Sequence, residues 1–302
     1  MDMLKFWLRG SALLTLLVVA LMLGFLIEQS WPYWRQYGAG MLFSGEWHPY
    51  EHLFGMAPAV IGSFWAAAVA LIIAIPTGIA AAVMSTQLMS GPWRGLLRSG
   101  MELLAGIPSV VYGLLGLWVL LPFLQESLDL LTGHNLLAAG LLLSIMILPT
   151  IMVMAQDALH EVHIQQREAA LSLGMDWNTR LWRVLLPQAW PGIRSGILLA
   201  LGRALGETMA VMLVVGSMDR IPDPWYNLLA PAQTLTSRIG REIGEATFGS
   251  MHFAALMACG LLLATATIII SLLASMEKRG QFTFGQKRGQ FTFFPAKPER
   301  KK

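Results

Sequence analysis

Apolar residues fall in six long blocks along the chain, near residues 11–27, 57–84, 99–121, 136–155, 192–217 and 252–276. Each is close to the length of about 20 residues that carries a helix across a bilayer core. The intervals hold breaker chemistry. Trp31-Pro32-Tyr33-Trp34 is an aromatic cluster suited to a membrane interface, and Gly91-Pro92-Trp93-Arg94 and Ile221-Pro222-Asp223-Pro224-Trp225 are proline-punctuated turns. The pattern predicts an all-α polytopic membrane protein with six transmembrane helices. The first block follows Lys5 and Arg9 like a signal peptide, but no small-x-small site follows it, so it reads as an uncleaved span. Pro76, Pro108 and Pro149 lie inside blocks, with kinks expected at 106–109 and 148–150.

Composition agrees. Charged residues make up 13% of the 302 positions, about half the share of soluble domains. A single cysteine, Cys259, excludes an intrachain disulfide. The net charge of +3 gives no nucleic-acid site, because eight of 21 basic residues lie beyond the last block, where membrane topology explains them. Placing the N-terminus in the cytoplasm puts 16 of the 21 Lys and Arg on that side and four on the other, with Arg203 inside a span. Both termini are therefore expected inside. The chain divides into a cytoplasmic N-terminus (1–10), a membrane domain (11–276) with a cytoplasmic segment at 157–190, and a basic tail (277–302). In that tail Lys278-Arg279-Gly280-Gln281-Phe282-Thr283-Phe284 recurs as Lys287-Arg288-Gly289-Gln290-Phe291-Thr292-Phe293. It reads as a loosely ordered extension without a dedicated role, the other reading being contact with anionic lipid.

Between blocks four and five runs a polar interlude: Glu168-Ala169-Ala170, then Gly174, Val184, Leu186 and Pro187. Residues 157–174 are expected as one helix, closed by Gly174 at positive φ. Leu181, Val184 and Leu185 then give a second short helix that Pro187 stops. Small Ala169 and Ala170 admit close approach of another backbone, so a soluble partner is expected here. The segment resembles the EAA motif of ABC-importer permeases, E-A-A-x3-G-x9-I-x-L-P, with Val184 for Ile. The resemblance implies a type I permease fold and a coupling helix seated on a separate ATPase. No lysine here follows a glycine, so the chain has no P-loop and no ATPase site of its own.

Arg203 and Glu207 lie four apart in block five and are expected on one helix face near mid-membrane. A charge at that depth costs from about 2.5 kcal/mol upward, so such residues face a pathway or a partner. The guanidinium fork suits an oxyanion, with Glu207 neutralising it when no anion is bound. A salt bridge that only packs helices is the structural alternative. Residues 202–211, with Gly106-Ile107-Pro108-Ser109-Val110-Val111-Tyr112-Gly113, resemble the phosphate-specific transport permeases, of the PstC type more than the PstA type. The resemblance implies an ATP-driven phosphate importer of the bacterial inner membrane. Its parts would be a PstA-like second permease, an ATP-binding subunit dimer that carries the ATP-Mg, and a periplasmic phosphate-binding protein. It implies no cofactor in this chain. The substrate pathway would include Arg203, Glu207, Thr208 and Ser109. Sulfate or molybdate import and a secondary anion carrier are the alternatives. His160 and His163, with no third ligand, give little support to an intramembrane enzyme.

Overall fold

The computed structural model describes the backbone of residues 2–288 and the side chains of residues 7–275. The chain is helical nearly throughout. Helix α1 (Asp2–Tyr37) crosses first and runs unbroken through Pro32, past the aromatic cluster expected to end it. A short hairpin follows, β1 (Trp47–His48) paired antiparallel with β2 (Leu53–Phe54). Next come α2 (Ala57–Val83), α3 (Pro92–Gly106), α4 (Ser109–Leu115) and α5 (Leu121–Ser127). Helix α6 (Leu136–His160) leads to α7 (Ile164–Ser172), α8 (Trp177–Arg180) and α9 (Leu186–Gly206). The chain then forms α10 (Met209–Val214), α11 (Leu235–Glu242) and α12 (Met251–Arg288).

Six helical stretches among the described residues are long and apolar enough to cross a membrane. Helices α2, α6 and α9 form the centre; α12 packs on α9 and α1 on α12. Glycines set the close approaches: Gly140 lies against Val69, Gly192 against Ala158 and Gly196 against Met154. Side chains there would hold the backbones apart, which membrane helix packing avoids. With six crossings, the start of α1 and the end of α12 lie on the side that carries α7, here the near end; the β hairpin and α11 occupy the far end.

Two prolines are accommodated by π turns. Pro122 and Pro187 each follow a π turn, at Gly116–Leu120 and Leu181–Leu185. The wider turn relieves the clash of the ring with the preceding carbonyl. Pro187 therefore does not stop a helix. Residues Trp177–Gly206 run on continuously, contrary to the sequence expectation of a separate short helix. Pro76 and Pro149 also stay inside unbroken helices, and only Pro108 sits at a break. The expected helix over 157–174 is interrupted too, because α6 ends at His160 and α7 starts at Ile164. The repeated tail lies partly outside the described residues; the backbone of its first copy continues α12 as helix to Arg288 rather than as a loose extension.

A compact cap covers the far end. Tyr33 donates to the Phe54 carbonyl at 3.0 Å, and Trp47, Phe54, Met56 and Cys259 share one apolar cluster. Arg238, fully buried, donates to Asp219 at 2.7 Å and to the Gly55 carbonyl at 3.3 Å, with its guanidinium 4.1 Å from the Trp47 ring centre. Glu242 accepts from Trp47 Nε1 at 2.9 Å and lies 2.8 Å from His252 Nε2. Buried charges persist only when paired in this way.

Candidate functional site

Two helix breaks meet in the middle of the molecule. The first is at Ile107 and Pro108, both extended, between α3 and α4. The second is at Glu207 and Thr208, between α9 and α10. Depth follows from packing register. Gly192 faces Ala158 near one end of α6, while Gly216 faces His134 just before the other end. Crossing five is therefore residues 192–216, most of α9 followed by the short α10, close to the sequence expectation. Helical continuity alone would place it lower, at Trp177–Gly206; the register against α6 decides. Leu121 packs beside Gly133, and Gly113 on Met209 and Ala210, so α4 starts at the same middle depth. Crossing three is thus α3 followed by α4 and α5. Leu97 and Met101 pack in the near-end cluster, while Leu104 and Ile107 reach the central one.

Arg203 sits at this level. Its Nη1 donates to Thr150 Oγ1 at 3.1 Å. Thr150 follows Pro149 and lies about 15 Å from the near end of α6, at 1.5 Å per residue. The Arg203 side chain is exposed on the flank of the chain, and the Tyr112 hydroxyl lies within range of its charge. Tyr112 donates to the Leu104 carbonyl at 2.8 Å, across the first break. Ser109 is half-buried, one turn before Tyr112 on α4, where the first helix amides have no intrahelical acceptor.

Glu207 does not pair with Arg203. Gly206 ends α9 and Glu207 is extended (φ −72°, ψ 124°), so an i,i+4 relation on one helix face no longer holds. Its carboxylate accepts from the Ala210 amide at 3.2 Å, capping α10, and its carbonyl accepts from Thr236 Oγ1 at 2.8 Å. Thr208 is the N-cap of α10, with its hydroxyl 3.4 Å from the Gly206 carbonyl. Among the described residues, then, the Arg203 guanidinium has a neutral hydrogen-bond partner and no carboxylate within salt-bridge distance. A guanidinium so placed keeps donors available for an anion.

The polar interlude forms a second site at the near end. Gly174 has φ +71° and closes α7 as a Schellman cap, with Gly174 N bonded to Leu171 O (2.9 Å) and Met175 N to Ala170 O (3.2 Å). Asp176 then caps α8 through the Thr179 amide. Its hydrogen bonds to the Thr179 side chain and amide hold its carboxyl below the usual range. Ala170, Leu181 and Leu185 are buried, Val184 and Leu186 half-buried, and Glu168, Ala169 and Pro187 exposed. The outer face of α7 shows Ile164 (70% exposed), Leu171 and Leu173 (74%) to solvent. Arg167 donates to the Leu159 carbonyl, tying α7 to the last turn of α6.

Arg167, Tyr112 and Thr150 were not singled out by sequence. Tyr112 stands inside the motif at 106–113, and Arg167 immediately precedes Glu168, so both had a positional signal. Thr150 had only the neighbouring proline.

The chain has known relatives in sequence and in fold. A family model described as binding-protein-dependent transport system inner membrane component matches residues 74–279. The phosphate transport system permease protein PstC of Mesorhizobium japonicum is 36% identical over 88% of this chain and 86% of its own length. The PstC of Pasteurella multocida is 32% identical over 87% and 86%. A probable ABC transporter permease of Bacillus subtilis, YqgH, is 37% identical over 77% and 75%. Among solved structures, a bacterial alginate ABC transporter in complex with its pentasaccharide-bound periplasmic protein matches with TM-score 0.61 at 16% identity, over 92% of this chain and 96% of that one. The MetNI methionine transporter, inward facing, matches with TM-score 0.57 at 19% identity, over 78% and 99%. These structures establish the fold, and family model and relatives together establish the lineage: the chain belongs to the binding-protein-dependent transport system inner membrane components.

Proposed function

We propose that this chain is a membrane subunit of an ATP-driven importer of inorganic phosphate. The observation that carries the reading is Arg203, a guanidinium without a carboxylate partner at mid-depth, where two helix breaks meet, in a chain whose relatives are named phosphate permeases. The near end faces the cytoplasm, as the Lys and Arg distribution favours. There the apolar face of α7 docks on a separate ATP-binding subunit, which carries the ATP-Mg; this chain has no P-loop and needs no cofactor. The exposed flank bearing Arg203 and α4 faces a second, PstA-like permease, and phosphate passes between the two.

Coupling follows a rigid path. Movement of α7 pulls on α6 through Arg167 and the Leu159 carbonyl. Helix α6 is unbroken from there to Thr150, so the displacement reaches the Arg203 guanidinium directly. Arg203 then offers its charge to the anion, or withdraws it, as the subunits rock. Ser109 and Thr208, at the start of α4 and α10, line the same level.

The test is labelled phosphate uptake in cells lacking their own phosphate permease, given this chain with its neighbouring transport genes. ATP-dependent uptake that resists excess sulfate and molybdate is expected, and Arg203→Gln should abolish it with the complex intact. Uptake that sulfate or molybdate suppresses would replace phosphate by that anion, and normal uptake by Arg203→Gln would sink the pathway assignment.

A further inference from the structure

The far-end cap contains a cavity of about 600 Å³ that the transport path through Arg203 does not use. Trp47 forms a wall, and Glu51, Asp219, Glu242 and Glu245 line it together with Arg241 and the imidazoles of His48, His52 and His252. Tyr50, which lines it, is 98% exposed, and Phe248, next in sequence to the lining Thr247, is exposed as well.

The cavity is built rather than incidental. Its walls hang on the buried Arg238 contacts to Asp219 and Gly55 and on the bridge from Trp47 through Glu242 to His252. These fix the hairpin to α11 and α12. Two of the four acids are consumed in that scaffold. Glu51 and Glu245 are exposed and have no ion-pair partner within 4 Å among the described residues.

Glu51 and Glu245, the two lining carboxylates not tied into that scaffold, disfavour the transported anion as the cavity's occupant. The pocket suits a cationic side chain with an apolar stem. Lys and Arg lay their methylenes on aromatic and apolar walls and reach a carboxylate with the charged head. Trp47 already carries one guanidinium, that of Arg238, near one face.

We propose that this cavity receives a Lys or Arg side chain of the soluble substrate-binding protein, with the exposed Tyr50 and Phe248 as further contacts. The assignment rests on the importer reading above, including its orientation, which puts the far end outside. The family requires a binding protein; the cavity specifies where on this chain it docks and with what charge. Aromatic residues are enriched at protein interfaces, and opposite charges set register and encounter rate.

The experiment uses the complete transporter in lipid nanodiscs with its phosphate-loaded binding protein, and reads ATP hydrolysis against binding-protein concentration. Glu51→Gln with Glu245→Gln is expected to raise the half-maximal concentration about tenfold, and Glu245→Lys to raise it further. Added NaCl should raise it in the native complex and less so in the double variant. Both residues are exposed, so the variants should assemble normally, checked by size-exclusion chromatography. A half-maximal concentration unchanged in both variants overturns the docking assignment alone. A native complex indifferent to the binding protein overturns the importer reading and this proposal together.

Discussion

Arg238 provides the sharpest test of what holds the far end together. Fully buried, its guanidinium donates to Asp219, to the Gly55 carbonyl and, at 3.4 Å, to Gln233 Oε1. Arg238→Ala strands all three acceptors and leaves a void under Trp47. Breaking a buried ion pair costs about 3–5 kcal/mol. The Asp219 side chain retains 27% exposure and regains some hydration, so the lower bound, about 3 kcal/mol, applies. Cys259 is a built-in reporter: it is the single cysteine, it is buried, and it shares the cluster of Trp47 and Phe54. Its labelling by a maleimide requires local opening, so the rate follows the opening equilibrium when closing is fast. At about 1.4 kcal/mol per decade, the loss accelerates labelling on the order of 100-fold. Each rate is normalised to the same variant in denaturant. Arg238→Met restores the volume but not the hydrogen bonds, and should still label about tenfold faster than native. A rate for Arg238→Ala within threefold of native would refute the account, because the ion pair would then not be holding the cap.

Other consequences follow from the same geometry. Serine at Ile164, Leu171 and Leu173 together should leave the membrane domain folded but lower recovery of the ATP-binding subunit in a pull-down by about tenfold or more; equal recovery would remove α7 from the interface. Gly174→Ala forces a side chain to φ +71°, at about 1–2 kcal/mol, and should reduce coupled ATP hydrolysis while Gly100→Ala, in open space on α3, does not. Gly113→Val would place a carbon 2.7 Å from Leu213 Cδ1 and 3.1 Å from the Ala210 backbone, costing about 1–3 kcal/mol of overpacking, visible as a lower melting midpoint in detergent. The depressed Asp176 carboxyl stabilises the start of α8 above its ordinary pKa, and that contribution is lost as pH falls through the folded value. Amide exchange at Thr179 should therefore quicken in acid, beyond the intrinsic trend, and Asp176→Asn should remove the excess.

The crossings were legible because their signal is length and hydropathy, which packing cannot override. Five of six blocks lie largely within helices of the expected crossings, and the fifth lies where register places it even though its helix breaks. Gly174 was legible for a related reason: only a residue without Cβ ends a helix cheaply at positive φ, and the Schellman bonds form there. Pro108 was legible as a break, but Pro187 was misread. Pro187 looks like a stop, yet a π turn upstream absorbs the missing donor, and nothing in residues 181–185 announces that turn.

The central site was half legible, and the half that failed is instructive. Spacing of four makes Arg203 and Glu207 neighbours only if helix continues between them. Gly206 is permissive rather than decisive, and what ends α9 is tertiary: Thr236, from α11, holds the Glu207 carbonyl, and the Glu207 carboxylate turns to cap α10. The break spends the glutamate on backbone amides and leaves the arginine without a counter-charge. An intramembrane arginine neutralised by its own helix would have to break that pair before meeting an anion. One hydrogen-bonded to a threonine hydroxyl gives up about 1 kcal/mol or somewhat more, and keeps its full charge for the substrate. On the proposed importer reading, the break suits Arg203 to an anion better than an unbroken helix would.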